Sequence, residues 1–141
     1  MSFDCSQIPE ERAKDALEKS KKTGKEVGFT GCERRIGSGW KESRTRVGSE
    51  DDLRVWRPHL GLNCEKADVE GASMWSTKSY IFHTHPPKHP SNLSSGDVKQ
   101  VYTKEHQAVC MTDFDGNVEC FVRDDSDEGS TYETITCEFD L

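Results

Sequence analysis

The chain has 141 residues, the usual size of one domain, and carries a formal net charge of −7. This acidic balance disfavours nucleic acid as the main partner, and no apolar stretch approaches the ~18 residues of a membrane span. The N-terminal segment lacks the apolar core of a signal peptide, so the sequence predicts one cytoplasmic domain over residues 1–141.

The first half of the chain predicts a helix followed by short strands. Residues 9–24 begin with a proline and acidic residues, gather lysines near their end and stop at a glycine, as is typical of a helix. Residues 26–32, EVGFTGC, predict a strand whose two glycines indicate close backbone approach or a bulge. Residues 38–57 predict one or two further strands around a turn at SEDD, and residues 58–74 match no clear pattern.

The second half predicts more strands and a second helix, which makes the fold class α/β. SYIFHTH, residues 79–85, is rich in aromatic and branched residues and predicts a strand. A proline-rich loop and a helix over residues 94–106 follow. Residues 107–122 predict a hairpin with an Asp-Gly turn. After a solvated loop over residues 124–130, a last strand is predicted, with Ile135, Cys137 and Phe139 on one face.

The charges and the cysteines are unevenly placed. After Lys104 the only basic residue is Arg123, and we expect a solvated face there, the alternative being a docking surface for an oppositely charged protein. The six cysteines show no C-x-x-C spacing, and without a secretory signal most are predicted to be reduced. The exception is Cys110 with Cys120, which flank the hairpin turn and could pair across two strands.

The strand over residues 79–85 ends in a histidine pair that suits a metal site. Residues two apart project to the same side of a strand, so His83 and His85 can converge on one ion, and Asp97 supplies a third ligand if the loop folds back. Three protein ligands leave a fourth position for water, which is the catalytic pattern for zinc. The alternatives are an incidental histidine pair and a capping box formed by Ser94 and Asp97; the capping box is compatible with the metal site.

Taken together, HTHP and SSGD on strand, loop and helix resemble the JAMM (MPN+) signature, H-[ST]-H-P followed by S-x-x-D. That family comprises zinc isopeptidases and related peptidases that act on ubiquitin-like proteins. Eight residues separate the second histidine from Ser94 here, one more than usual, and only Ser94 has the S-x-x-D spacing to Asp97. The resemblance implies a curved mixed sheet, cytidine-deaminase-like, with the N-terminal helix against one face and the helix over residues 95–105 near the metal.

The resemblance also implies a set of site residues. One Zn²⁺ per chain would be bound by His83, His85 and Asp97. Glu26 would be the general base that takes a proton from the attacking water, and Ser94 would donate a hydrogen bond to the oxyanion.

Glu26 is matched to the upstream glutamate of the family because it begins the strand after the first helix. Gly28 and Gly31 are the small residues around it. The alternatives for the base are Glu33, Glu42 and Glu70.

The implied function is a zinc metalloprotease or isopeptidase, deubiquitinase-like, that cleaves after the C-terminus of a ubiquitin-like protein. The motif H-E-x-x-H is absent, as is H-x-E with P-C-x-x-C, which disfavours thermolysin-type peptidases and zinc deaminases. Two alternatives stay open: an MPN-like module that binds a partner without catalysis, and a related peptidase with a different substrate. In so short a chain, substrate preference would lie in short loops or in a partner subunit.

Overall fold

The computed structural model describes residues 3–34, 39–48, 75–87, 93–103 and 106–141. Within these ranges a short 3-10 helix, Cys5–Gln7, precedes two α-helices, α1 (Glu10–Thr23) and α2 (Ser95–Tyr102). One seven-stranded sheet contains β1 (Val27–Arg34), β2 (Trp40–Glu42), β3 (Arg46–Val47), β4 (Trp75–Thr84), β5 (Ala108–Thr112), β6 (Val118–Ser126) and β7 (Gly129–Cys137). The turn predicted at SEDD and the segment over residues 58–74 lie outside the described residues.

The sheet is mixed, which confirms the predicted α/β class. Its strands run in the order β2-β1-β4-β5-β6-β7, and β3 also pairs with β1. Only β4 and β5 are parallel among these pairs, and the other neighbours are antiparallel. A parallel pair needs a crossover connection. Helix α2 belongs to that connection, so it follows the end of β4 where the histidine pair lies.

The two faces of the sheet pack against different helices. Tyr80 and Phe82 of β4 belong to a large cluster that includes Ala13 and Ala16 of α1, and we name this side the α1 face. Val101 of α2 packs with Val109 and Phe121 on the opposite side, the α2 face. Since side chains alternate along a strand, Ile81, His83 and His85 project from the α2 face.

Helix α1 has the end signals that the sequence predicts. Acidic residues occupy its first turn and Lys21 and Lys22 its last, the arrangement that complements the helix dipole. Pro9 is the N-cap, and Gly24 closes the helix in the left-handed region with φ of 70°. A residue with a side chain would be strained there, so glycine is the natural stop.

None of the helices in the described residues is long and apolar enough to cross a membrane.

Helix α2 is shorter than predicted. It ends at Tyr102 with Thr103 as its C-cap, whereas the sequence pattern suggested a helix to residue 106. His106 is instead buried, with its Nδ1 atom 2.6 Å from the Ser79 hydroxyl. Burying this imidazole requires the chain to leave the helix and turn towards the sheet.

The prediction of a loop over residues 124–130 is wrong, because strands cover most of these residues. Strand β6 continues to Ser126, β7 begins at Gly129, and the register pairs Ser126 with Gly129. Gly129 has φ of 120°, which favours glycine at this tight turn. The polar residues remain compatible with strand structure because they lie at the exposed tip of a terminal hairpin, where their side chains stay solvated.

The prediction that most cysteines are reduced is also wrong for the described residues. Cys110 and Cys120, directly opposite in the register of β5 and β6, form the disulfide that the hairpin suggested. Cys5 bonds to Cys137 across 132 residues, and Cys32 is disulfide-bonded as well. Sequence spacing has no signal for the Cys5–Cys137 bond, because only the folded sheet brings the N-terminal turn beside β7.

Candidate metal centre

The end of β4 holds the two histidines in a fixed position. His83 lies within the strand, and its Cα partners are Gly28 on β1 and Met111 on β5. His85 follows the last strand residue, and its backbone N–H donates to the Thr112 carbonyl at 2.8 Å. Backbone pairing therefore continues one residue past the strand and aligns both imidazoles on the α2 face.

Thr84, between the histidines, projects from the α1 face and anchors the strand end there. Its hydroxyl accepts a hydrogen bond from the Val27 N–H at 2.9 Å and donates to Ser20 Oγ at 2.8 Å. Ser20 in turn donates to the Lys25 carbonyl at 2.6 Å. This network joins β4 to β1 and to the end of α1. The sequence analysis assigned Thr84 no role. The one feature of the sequence that could have indicated this anchoring role is the placement of a hydroxyl residue between two histidines.

Asp97 is positioned by the start of α2. The Asp97 N–H donates to Ser94 Oγ at 3.1 Å, and Asp97 Oδ2 accepts from the Ser94 N–H at 2.8 Å. This is a capping box, as the alternative interpretation of these two residues predicted. The cap fixes the rotamer of Asp97, so it supports the placement of this carboxylate instead of competing with it.

His83, His85 and Asp97 meet as three buried groups with exposed fractions of 1%, 1% and 0%. His83 Nε2 lies 3.3 Å from Asp97 Oδ1, and His85 Nε2 lies 3.5 Å from Asp97 Oδ2. The two Nε2 atoms are 2.8 Å apart. The sequence prediction that these three side chains come together is thus matched by the geometry.

Two of the three distances are close to those in a metal site, and the third is shorter. Ligand atoms at ~2.0–2.1 Å from a tetrahedral zinc lie about 3.3 Å from one another. Both nitrogen–oxygen distances are close to that value, but each involves a different Asp97 oxygen, and the two imidazoles would have to separate by about 0.5 Å. Two imidazoles and a carboxylate form a ligand set that also suits other divalent metals. The group could bind a metal ion, and its composition does not select which one.

Glu26 lies on the same side of the sheet as the three candidate ligands. It directly precedes β1, and side-chain alternation puts it on the face of Gly28, the residue opposite His83. Glu26 is 2% exposed, and its carbonyl accepts from the Gly48 N–H at 2.7 Å. A buried carboxylate at this strand end is compatible with the predicted role of general base.

The alternative bases are less well placed. Glu42 pairs with Gly31 in the β1–β2 register, and the Tyr80 ring covers Gly31 on the α1 face. Burial raises the pKa of Glu42, while the nearby Arg12 charge opposes this rise. Glu33 pairs with Trp40, whose ring contacts Tyr80 on the α1 face. Both carboxylates are therefore on the wrong side of the sheet, and Glu70 lies outside the described residues.

Ser94 is half-buried at the N-terminus of α2, adjacent in the fold to Asp97. Capping engages the hydroxyl oxygen as an acceptor, and a serine hydroxyl has in addition one hydrogen to donate. Its position next to a candidate ligand is compatible with the predicted role in stabilising an oxyanion.

The described cysteines and His106 lie outside this group of three residues.

No protein-family model matches the sequence, and no curated protein matches it.

Proposed function

We propose that this protein is a zinc-dependent peptidase of the JAMM type that cleaves after the C-terminus of a ubiquitin-like protein. The observation that carries the proposal is the buried convergence of His83, His85 and Asp97 from a strand end and a helix start. This order of elements agrees with the H-T-H-P and S-x-x-D pattern of the family. The finer fold assignment, cytidine-deaminase-like, and the treatment of residues 1–141 as one JAMM domain belong to the same proposal.

Two residues of the chain would have separate roles in hydrolysis, one in proton transfer and one in stabilising the oxyanion. Zinc, when bound, would supply a Lewis acid that polarises the scissile carbonyl and acidifies a water molecule. Glu26 would accept the proton of the attacking water and deliver it to the leaving amine. Ser94 would donate a hydrogen bond to the oxygen on which negative charge develops, a contribution typically worth about 10²–10³ in rate.

The proposed substrate is a ubiquitin-like protein or its conjugates, and a partner subunit can contribute to substrate choice. We also propose a cytoplasmic location; the bonded state of the described cysteines argues against it, because disulfides persist mainly in oxidising compartments. Fractionation of cells lysed in a thiol-blocking reagent would report the compartment and the cysteine state together.

Zinc content is the first test. Purified protein should contain about one zinc per chain by elemental analysis, and replacing both His83 and His85 with alanine should abolish it. His106→Asn is a matched control, because it changes a buried histidine outside the triad and should retain the zinc. Full zinc content in the double variant would contradict the site.

Cleavage is the second test, and it separates the three functions under consideration. A panel of linear fusions and lysine-linked conjugates of ubiquitin-like proteins should be cleaved after the terminal glycine, and a chelator should stop the reaction. Tight binding without cleavage by the zinc-loaded protein would favour the binding module. Cleavage of unrelated peptides alone would favour a peptidase with a different substrate.

A further inference from the structure

Four of the six cysteines meet on the α1 face as two adjoining disulfides. Cys5 is bonded to Cys137, and Cys110 is bonded to Cys120. Between the two disulfides, Cys120 Sγ lies 3.6 Å from Cys137 Sγ. This distance is close to van der Waals contact, so a sulfur of one disulfide adjoins a sulfur of the other.

The four sulfurs differ in their access to solvent. Cys5 lies in the N-terminal 3-10 helix and is only half-buried. Cys137 is 3% exposed, and Cys110 and Cys120 are fully buried within the sheet. Cys5 is thus the most exposed of the four residues and the point at which we expect an external thiol to attack, while Cys120 is shielded from the solvent and adjoins Cys137.

From this arrangement we propose a second reactive site, a thiol–disulfide exchange relay that takes an external dithiol at Cys5 and passes the reduction inward to Cys110. The relay is independent of the proposed peptidase activity, because none of its four cysteines belongs to the metal-binding triad.

The exchange proceeds in three balanced steps. A thiolate of the dithiol attacks Cys5 Sγ, the Cys5–Cys137 bond breaks, and Cys137 leaves as a thiolate. The second thiol of the reagent displaces Cys5, which releases the cyclised, oxidised reagent and leaves Cys5 as a thiol. Cys137 then attacks Cys120 Sγ, a Cys120–Cys137 bond forms, and Cys110 leaves as a thiolate that takes up a proton. Two electrons enter from the dithiol, and they finally reside on the thiols of Cys5 and Cys110.

The relay changes which parts of the chain are covalently joined. Before exchange, the N-terminal turn is bonded to β7 and β5 is bonded to β6. After exchange, β6 is bonded to β7, and the N-terminal turn is held only by contacts such as the Phe3–Tyr80 ring pair and the Tyr80 hydroxyl donating to the Gln7 carbonyl. Reduction at one accessible sulfur thus loosens both the N-terminus and the centre of the sheet.

Register sets a limit on the exchanged form. Cys137 pairs with Val118, so it is diagonal to Cys120 across β6 and β7. Diagonal residues lie about 7–8 Å apart, whereas disulfides prefer Cα separations of about 4.4–6.8 Å. We therefore expect the new bond to require a small approach of the strands and the exchanged form to coexist with the original pairing.

The experiment uses the wild-type protein with one equivalent of dithiothreitol. After incubation, acid quenching stops exchange, a maleimide labels the thiols, and the unreduced peptides are mapped by mass spectrometry. The relay predicts label on Cys5 and Cys110 together with a Cys120–Cys137 peptide. Label confined to Cys5 and Cys137, or to Cys110 and Cys120, would overturn it.

A double variant tests the new bond directly. Replacing Cys5 and Cys110 with serine removes one partner from each native disulfide and leaves Cys120 and Cys137 as neighbours. We expect these two residues to form a disulfide on mild oxidation in the folded protein. If both remain alkylatable while the sheet keeps its circular dichroism signal, the geometry does not support exchange.

Discussion

A carboxylate enclosed with two imidazoles at the end of β4 poses a charge problem. An ionised Asp97 with no exposed surface would cost several kcal/mol if nothing compensated its charge. Either a bound cation or a proton shared with His83 or His85 can provide that compensation. The centre is thus expected to exchange a metal ion for protons, so metal affinity should fall as the pH falls.

Replacing Glu26 with glutamine would separate the proposed catalysis from the proposed metal binding. The amide keeps the size of the side chain but cannot accept a proton, so zinc content and melting temperature should change little. The rate of cleavage should fall by about 10²–10⁴, the usual contribution of a positioned acid–base group. Near wild-type turnover on a verified substrate would exclude Glu26 as the base; Glu33→Gln is a control on the opposite face of the sheet.

Asp97→Asn should behave differently, because it alters a proposed ligand. The asparagine side chain keeps an oxygen that can accept from the Ser94 N–H, so the start of α2 should remain capped. Loss of the carboxylate charge should lower the zinc affinity by tenfold or more, and the rate with it. Competition with a chromogenic chelator measures the affinity, and helical circular dichroism of the metal-free protein checks the cap. Unchanged affinity would remove Asp97 from the ligand set.

Much of this centre is predictable from residue spacing. Two histidines at i and i+2 must share a strand face, and S-x-x-D at a helix start must bring the serine and aspartate together. What spacing cannot show is the depth of burial or the support from the opposite face, where Thr84 bonds to Ser20. That contact joins residues 64 apart in the chain, and such long-range contacts leave no local pattern.

At the scale of elements, β1 and β4 approach closely at one glycine. A Cβ atom on Gly31 would lie 2.1 Å from the Tyr80 ring, far inside van der Waals contact. The ring belongs to an aromatic group with Phe3, Phe29 and Trp40, so it has little room to move. Close approach at this glycine was predictable from EVGFTGC, but the identity of the ring above it was not.

Gly31→Ala should therefore destabilise the protein. Overpacking of a core typically costs about 1–3 kcal/mol, and the short distance here places the expected loss at the upper end of that range. Chemical denaturation of both proteins measures the difference in unfolding free energy. In a Tyr80→Leu background the alanine should cost much less, because the overlapping ring atoms are gone. Equal costs in the two backgrounds would show that the overlap with Tyr80 is not the cause.

At the scale of the whole molecule, the negative charge is concentrated in the C-terminal part of the chain. Residues 118–141 contain eight acidic residues and one basic residue. The net charge of this segment, −7, equals the formal net charge of the entire chain. The acids at the tip of the β6–β7 hairpin are exposed, as expected for a solvated face. The single base, Arg123, is 7% exposed and donates from Nη1 to the carbonyls of Val101 and His106. This arrangement places a buried cation beside a buried histidine.

His106 should make the stability of the protein depend on pH. Burial, followed by the Arg123 charge, lowers the pKa of His106 from 6.5 to about 4. As the pH falls, His106 therefore becomes protonated near pH 6.5 in the unfolded chain but only near pH 4 in the folded chain. Full stability is present above pH 6.5 and is lost as the pH falls through this window. The shift corresponds to about 3 kcal/mol at most.

The measurement compares the unfolding free energy of wild type and His106→Asn between pH 4 and pH 7.5, both free of metal. Asparagine can accept the Ser79 hydrogen bond through its side-chain oxygen, yet it does not titrate. The variant should be less stable than wild type at pH 7.5, because it leaves part of the imidazole volume empty. This gap should narrow as the pH falls towards 4, since only the wild type then loses stability at position 106. Parallel curves for the two proteins would mean that His106 does not titrate abnormally, and the acid sensitivity would have to come from other groups.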